Sequence, residues 1–522
     1  ATIGNENYLE AKRLTGDIEN TKVLLDRAKK ETEAKFKYFN NSSTELSWDL
    51  LKDLYKETCN HKVLIFPNSR GRTEEIAVKL RKISDRVNGH KFYYSHHSSV
   101  DKEIRESIEH FAKSNERYNF CISCTSTLEL GIDIGTVDKI VQIDSTQSVS
   151  SLVQRMGRSG RIEGEKSIAN IYATDKWSLL QSLACWKLYK NEFLEPVITA
   201  KKPFDILLHQ ILSIVKQLSG CKRINLINRI KENPTFESIP ENEINKLIDE
   251  SVKSDYLEII EHELILGVEG EKIVNSREFY SVFKTEQNFK VIFSGKTIGD
   301  IPFSPQVKID ENLLLAARIW KIKDIDFNGL KIMVIPAKDG KKPIFFGIGG
   351  NIHPKIREEM LGILKSDELY AELDETSNLV LKELRYDFRN FEINDLVYDK
   401  PVIRNEDKLL LYTFTGTKIN KSLSFLFNQT GYEAHLDEHS SSFEIEIKET
   451  EFASLVEQVN QIYSRINDLL ITELKENKSL IGFSKWGTYL PVEYQSQIVK
   501  ERYFDFTTAI ALINNVRLIE SN

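Results

Sequence analysis

The sequence predicts an α/β fold: a parallel-sheet domain over 58–202, followed by a winged-helix unit, a β-barrel unit and a C-terminal α/β unit. Three observations predict it. Short β-branched or aromatic runs recur along the first third: VLIF (63–66), FYYSH (92–96), FCISCT (120–125), KIVQID (139–144) and ANIYAT (169–174). Helix-like stretches such as RTEEIAVKLRKISDRV (72–87) and VDKEIRESIEHFAKS (100–114) separate most of them. That alternation builds βαβ units, and a parallel sheet needs helices on both faces. The length, 522 residues, exceeds what one core supports, so about three to five domains are expected.

The elements follow in order. Residues 1–57 are polar and helix-rich, with a turn cluster in ETEAKFKYFNNSSTELSWDLL, and lie outside the sheet domain in this reading. Ile76, Leu80 and Ile83 recur at helical spacing and give the first helix one buried stripe. Over 203–275 the pattern is three helices and a hairpin. FDILLHQILSIVKQLSG closes at Gly220, suited to a helix C-cap. PENEINKLIDESVKSDYLEII places Pro240 and Glu241 in a first helical turn. ELILGVEGEKIV alternates around Val268-Glu269-Gly270, which predicts a β-wing there. The set resembles a winged helix; the alternative is a plain helical spacer. Over 276–360 short strands punctuated by Gly295, Gly299, Gly329 and Gly340 predict a small antiparallel barrel or sandwich. Over 361–522 a helical stretch and then mixed strands and helices predict another α/β unit.

Composition narrows the function. The hydrophobic fraction of 41% and charged fraction of 29% are ordinary for a globular protein. No apolar run reaches the length of a membrane span, and the opening residues lack a signal-peptide pattern, so no membrane partner is expected. Five cysteines, Cys59, Cys121, Cys124, Cys185 and Cys221, are sparse and odd in number, which fits a reducing cytoplasm. The net charge of -7 argues mildly against a nucleic-acid partner. A few local donors can still hold a phosphate backbone, because screening confines distant charges to about 8–10 Å.

Chemistry concentrates in Gln154-Arg155-Met156-Gly157-Arg158-Ser159-Gly160-Arg161. Guanidinium groups offer planar, permanent donors to a triphosphate, and such an arginine can be worth ~10³ in phosphoryl-transfer rate. The glycines permit close backbone approach. A solvated basic helix start is the alternative. Upstream, Thr125-Ser126-Thr127-Leu128-Glu129-Leu130-Gly131-Ile132-Asp133-Ile134-Gly135 follows one predicted strand. Thr125 can donate to a phosphate; Asp133 can accept from a ribose hydroxyl or orient an arginine. Asn68-Ser69-Arg70 and His96-His97-Ser98-Ser99 follow two others. All these clusters fall at the carboxyl ends of strands, where parallel sheets gather ligands.

The ordered set VLIFPNSR, HHSSVDKEIR, TSTLELGIDIG and QRMGRSGR resembles motifs IV, IVa, V and VI of superfamily-two helicases. ELGIDIGTVDKIVQIDSTQSVSSLVQRMGRSGR is especially similar to the large helicase-related, or Lhr-type, family, in which a winged helix and a β-barrel also follow the motor. LLLYTFTGTKINKSLSFLF is similar to that family's C-terminal region. The resemblance implies that 58–202 is a second RecA-like domain. Arg158 and Arg161 would then reach a γ-phosphate as arginine fingers, and Gln154 would position the attacking water. Gly131 and Asp133 would face the nucleotide. Ser69, Arg70, His97 and Thr125 would sit near a strand backbone. Arg161 departs from the histidine that ends motif VI in many Lhr-type proteins and matches superfamily two more broadly. Ala1-Thr2-Ile3-Gly4-Asn5 resembles motif III without its serine. Residues 1–57 are therefore expected to be a remnant of the interdomain region beyond motif III, with the first motor domain absent. The implied cofactor is ATP with Mg²⁺, in a site completed by that first domain. The implied partner is single-stranded DNA or an RNA–DNA hybrid. The chain alone is expected to be inactive.

Other signals are weaker. Gly295-Lys296-Thr297 mimics the end of a phosphate-binding loop, but Lys290 stands where its leading glycine belongs, so a turn is expected. Leu436-Asp437-Glu438-His439 lacks the context of an acidic metal motif. Cys121 and Cys124 lack a second ligand pair, which favours core thiols over zinc, and no metal site is expected. His96-His97 lacks a third ligand, and Gly347-Ile348-Gly349-Gly350 lacks a full dinucleotide fingerprint. Trp320, Phe345, Phe346, Trp486 and Tyr489 could stack on bases but fit a core better. The rival function is a catalytically inactive nucleic-acid- or protein-binding module derived from a helicase. A nuclease lacks the clustered carboxylates it would need.

Overall fold

The computed structural model describes the chain except residues 1, 2, 14, 25–30, 42–44, 130, 131, 161–163, 165, 284–287, 303–308, 311, 316, 317, 327, 328, 338–342, 345–349, 406, 407, 449, 450, 477 and 522. The first block holds α1 (Tyr8–Arg13), β1 (Thr32–Tyr38), α2 (Trp48–Thr58), β2 (Lys62–Pro67), α3 (Arg70–Arg86), β3 (Tyr93–His96), α4 (Lys102–Ser114), β4 (Phe120–Cys124), β5 (Lys139–Ile143), α5 (Val149–Met156), β6 (Ser167–Ala173) and α6 (Lys176–Lys190). Its strands form a six-stranded sheet in the order β1-β6-β5-β2-β4-β3, parallel at every pairing. Both faces are buried, as parallel sheets require. In β2, Val63 and Ile65 join a core with Leu50 and Leu54 of α2 and Ile76 and Leu80 of α3. Leu64 and Phe66 join the opposite core with helices α4, α5 and α6.

The sheet starts earlier than the boundary at 58. Thr32–Tyr38, expected outside the domain, pairs with β6 along its whole length, and its Lys37 pairs with Asp53 and Glu57 of α2. Ala34 and Phe36 point inward while lysines alternate outward, a period-2 pattern diluted by charge.

The second block holds α7 (Phe204–Leu218), β7 (Cys221–Lys222), α8 (Arg223–Lys231), α9 (Glu241–Lys253), β8 (Leu257–Ile260), β9 (Glu263–Leu266) and α10 (Val268–Asn275), with strand order β7-β9-β8. This helix–strand–helix–helix–hairpin succession is that of a winged helix. The wing turns at Glu261 and His262, both at positive φ. It does not turn at Val268-Glu269-Gly270, which opens α10 instead.

The third block holds β10 (Asn288–Phe293), β11 (Lys296–Pro302), β12 (Asn312–Leu315), β13 (Arg318–Asp326), β14 (Lys331–Pro336) and β15 (Pro343–Ile344). They form a six-stranded sheet in the order β11-β10-β14-β13-β12-β15 around Phe289, Val291, Trp320, Ile322, Ile332 and Val334. Two of its pairings, β10 with β14 and β12 with β15, are parallel. Its end strands do not pair with each other among the described residues.

The last block holds α11 (Pro354–Lys365), α12 (Glu375–Phe388), β16 (Asp399–Asn405), β17 (Lys408–Tyr412), α13 (Thr417–Asn428), β18 (Ala434–Asp437), β19 (Ser442–Glu446), α14 (Phe452–Ser464), α15 (Ile466–Glu476), α16 (Val492–Arg502), α17 (Phe506–Asn515) and β20 (Arg517–Glu520). Strand order is β18-β19-β17-β16-β20. The blocks share cores across their boundaries. Helices α11 and α12 bury Ile356, Met360, Leu381 and Leu384 in the core of the first sheet. The Phe36 N–H donates to Glu372 O at 2.8 Å, and the Asp374 N–H to Phe36 O at 3.1 Å. The winged helix shares one core with β16–β20 and the helices around them. There Arg502 grips Asp205 through two bonds of 2.6 and 2.7 Å, and Ser484 donates to Asp205 at 2.6 Å. Among the described residues no helix is long and apolar enough to cross a membrane.

Candidate functional site

Because every strand of the first sheet runs the same way, the residues that follow each strand collect on one rim. Asn68 follows β2, Thr125 follows β4 and Ser145 follows β5. Ser69 caps α3, its hydroxyl accepting from the Arg72 N–H at 3.1 Å. A cavity of about 290 Å³ opens at this rim, lined in part by Asn68, Thr125, Glu129, Ser148, Ser151 and Arg155.

A buried polar chain ties the rim together. Arg155, on the last turn of α5, donates from Nε to Glu129 Oε1 at 2.7 Å and from Nη1 to Gln142 Oε1 at 2.5 Å. Its guanidinium lies 5.2 Å from the centre of the Phe66 ring. The Gln142 amide donates onward to Asn68 Oδ1 at 3.3 Å, and Ser151 donates to Glu129 Oε2 at 3.0 Å. Arg158 donates to the carbonyls of Glu129 at 2.5 Å and Ile132 at 2.8 Å. The end of α5 and the turn after it thus hold the loop after β4 through side-chain and main-chain acceptors, the charge-assisted kind of bond that fixes geometry most firmly. The other end of α5 is held as well. Glu195 accepts from the N–H groups of Val149 at 2.5 Å and Ser150 at 3.0 Å, and Ser148 accepts from Ser151 at 3.1 Å. A carboxylate at a helix N-terminus satisfies orphan donors and complements the helix dipole.

The chain is similar to known proteins. A model of the helicase conserved C-terminal domain matches residues 47–163. The ATP-dependent helicase Lhr-Core of Saccharolobus solfataricus is 30% identical over 40% of this chain and 24% of its own length. That of Methanocaldococcus jannaschii is 27% identical over 80% of this chain and 52% of its own. The structure of Mycobacterium smegmatis helicase Lhr bound to ssDNA and AMP-PNP superposes with a TM-score of 0.69 at 15% identity, covering 95% of this chain and 70% of that one. Residues 47–163 thus match a helicase C-terminal domain, and the chain as a whole resembles helicases of the Lhr type. It spans about half or less of the curated relatives named here.

Within this Lhr-like chain the motif residues occupy different settings. Arg158 is buried, and its Nη1 and Nη2 donate to the main-chain oxygens of Ile132 and Glu129 in the loop after β4. Gln154 is half-buried on α5. Asp133 is exposed; it accepts from the Gly135 N–H at 3.2 Å and pairs with Lys113 at 3.0 Å. Gly131 and Arg161 lie outside the described residues. Ser69, Arg70 and Thr125 are half-buried on the rim.

His97 differs from expectation. The residue is 1% exposed, its ring enclosed within the first block. The Ser99 N–H donates to Nδ1 at 3.3 Å, which leaves the proton on Nε2, and Nε2 donates to Glu74 Oε1 on α3 at 2.8 Å. Ser98, between two buried neighbours, is the exposed residue of the run His96-His97-Ser98-Ser99. His96 is likewise internal, bonded to Thr127 and Glu109, and burial holds its pKa below the ordinary value.

Sequence reasoning passes over Glu129, Gln142, Arg155 and Glu195. Gln142 carries a signal, a lone amide inside the apolar run of β5. Glu195 carries none, since its partners lie 45 and 46 residues away. Cys121 and Cys124 are buried in β4, where desolvation pushes both thiols well up. Trp320 and Trp486 are core residues, and Trp320 donates to Leu315 O at 2.9 Å. Phe345, Phe346 and the glycines 347 and 349 lie outside the described residues.

Proposed function

We propose that this chain supplies the second motor domain, with its winged helix and later domains, of an ATP-dependent helicase or translocase acting on single-stranded DNA or an RNA–DNA hybrid in the cytoplasm. The observation that carries the reading is the polar chain Asn68–Gln142–Arg155–Glu129, with Arg158 bracing the same loop, around a cavity at the carboxyl rim of a parallel sheet. Three motifs, those that resemble helicase motifs IV, V and VI, are thereby one mechanical unit.

The donor set suits a triphosphate wall that is shared. Arg155 and the hydroxyls of Ser126, Ser148 and Ser151 line the cavity. In this reading Mg²⁺ and the phosphate cradle belong to the facing RecA-like domain, and bound ATP supplies the phosphoryl group. Arg158 and Arg161 deliver guanidinium charge to the γ-phosphate side and Gln154 orients water. Asp133 faces the nucleotide, while Ser69, Arg70 and Thr125 meet the strand backbone, contacts that position without reading sequence. For Arg158 to reach a phosphate, its bonds to Glu129 O and Ile132 O must be exchanged or shared. The loop of motif V therefore moves with the nucleotide state.

The test is ATP turnover by a protein that joins this chain to a first RecA-like domain, with and without oligo(dT), and with Arg158→Ala. Stimulation by the oligonucleotide that the substitution abolishes supports the motor. Turnover indifferent to Arg158 leaves the binding-module reading standing. The chain by itself should turn over essentially no ATP.

A further inference from the structure

The hairpin β10–β11 turns at Ser294-Gly295 and carries Lys296 and Thr297, the segment that mimics a phosphate loop in sequence. Its outer strand continues its ladder onto the first domain. Val100 and Gly299 form an antiparallel bridge. The Asp300 N–H donates to Ser99 O at 2.5 Å, and the Asp101 N–H to Ile298 O at 3.3 Å. Gly299 adopts φ +154, and a Cβ built there would sit 2.2 Å from the Ser99 carbonyl oxygen. The obstruction is backbone, with both methyls of Leu315 at 3.2 Å on another side, so no side-chain rotation relieves it. Only glycine lets these two backbones approach so closely.

The clamped segment follows β3 and holds the exposed Ser98. It is fixed from within by the His97 bonds to Glu74 and Ser99. It is fixed beyond by Asp101, which caps α4 by accepting from the Glu103 N–H at 2.9 Å. We infer that Gly299 is a positioning residue for the nucleic-acid grip. Through it the sheet of β10–β15 braces the Ser98 loop, so that a strand phosphate meets a hydroxyl already in place, and motion of that sheet is passed to the rim. The inference rests on the proposed function, in which this rim carries a nucleic-acid strand.

The experiment uses a protein bearing both motor domains and compares the wild type, Gly299→Ala and Gly295→Asn. Gly295 lies in the same hairpin at φ +78 with nothing near its Cβ position, a conformation asparagine tolerates. Gly299→Ala should raise the oligo(dT) concentration for half-maximal ATP turnover about tenfold, the scale of backbone strain at such a site. The KM for ATP and kcat at saturating oligonucleotide should stay put. Gly295→Asn should match the wild type. Amide exchange at Asp101 and Asp300 should quicken in Gly299→Ala alone. In the wild type, oligo(dT) should slow exchange over 98–101, a readout that stands even if the alanine variant fails to fold. An unchanged half-maximal concentration alongside faster exchange overturns the inference, as does absence of that protection. Wild-type protein that neither binds oligo(dT) nor responds to it defeats the functional reading itself.

Discussion

Arg155 and Glu129 form a buried ion pair between motif VI and motif V, 7–8% exposed, with Nε 2.7 Å from Oε1. The pair matters because each partner has a second task. Arg155 also holds Gln142, and Glu129 also holds Ser151. Removing Glu129 alone, as in Glu129→Ala, strands a desolvated guanidinium and should cost about 3–5 kcal/mol. Arg155→Met together with Glu129→Ala should cost less than the two singles added. Urea unfolding of the four proteins checks this; strict additivity would mean that the pair is not coupled.

Glu195 predicts a different separation. As a second acceptor at the N-terminus of α5, beside the capping Ser148, it should contribute about 1 kcal/mol, so Glu195→Ala should lower the unfolding midpoint only slightly. Because α5 carries Gln154 and Arg155 and leads into Arg158, the same variant, in a protein bearing both motor domains, should reduce kcat for ATP by about tenfold, with oligo(dT) affinity unchanged. Glu195→Gln, which keeps one acceptor oxygen, should recover part of the loss. The loop bearing Glu195 is itself tied to the N-terminal segment. Asn7 donates to Val197 O and accepts from its N–H, both at 2.8 Å. Asn7→Ala should therefore shift kcat in the same direction.

Lys400 sets a pH dependence. It is 2% exposed, donates to Leu396 O at 2.9 Å, and burial pushes its pKa down to about 8 from 10.5 despite nearby Glu358, Asp395 and Asp399. The folded state holds this proton less tightly than the unfolded state. The charge therefore weakens the fold below about pH 8, and stability rises as pH climbs from there through the unfolded value. Lys400→Met should stabilise the chain by roughly 2 kcal/mol at pH 7. The gain should fade by about pH 10. Unfolding midpoints across that range decide; a gain that persists at high pH would place its origin in packing.

Asp205 and Arg502 predict cooperativity. Their paired bonds join the winged helix to α16 inside one core. Arg502→Met leaves the 3%-exposed carboxylate with only Ser484 of these two partners and should cost about 3 kcal/mol. The unfolding curve should change from one transition to two if this pair fuses the blocks. A single transition, merely shifted, would show that the apolar core suffices.

Much of the fold is legible in sequence. The parallel sheet can be read because its strands are apolar on both faces and alternate with helices, and the rim follows from their direction. β1 escapes because Glu33, Lys35 and Lys37 interrupt it and its partner lies more than 130 residues on. The wing is misplaced because its turn uses Glu261 and His262, not the glycine or asparagine that marks a positive φ. His97 looks like a contact residue because nothing local reveals Glu74 as its buried partner. The sharing of α11 and α12 with the first sheet is invisible for the same reason: tertiary pairing leaves no mark on neighbouring residues.

Single-turnover hydrolysis at saturating ATP and oligo(dT), in a protein with both motor domains, bears most directly on the central claim. If the motif VI arginines complete a triphosphate pocket from this side, Arg158→Lys and Arg161→Ala should each slow the chemical step by ~10³ while nucleotide affinity changes only a few-fold. Hydrolysis at the wild-type rate in both variants would contradict the account.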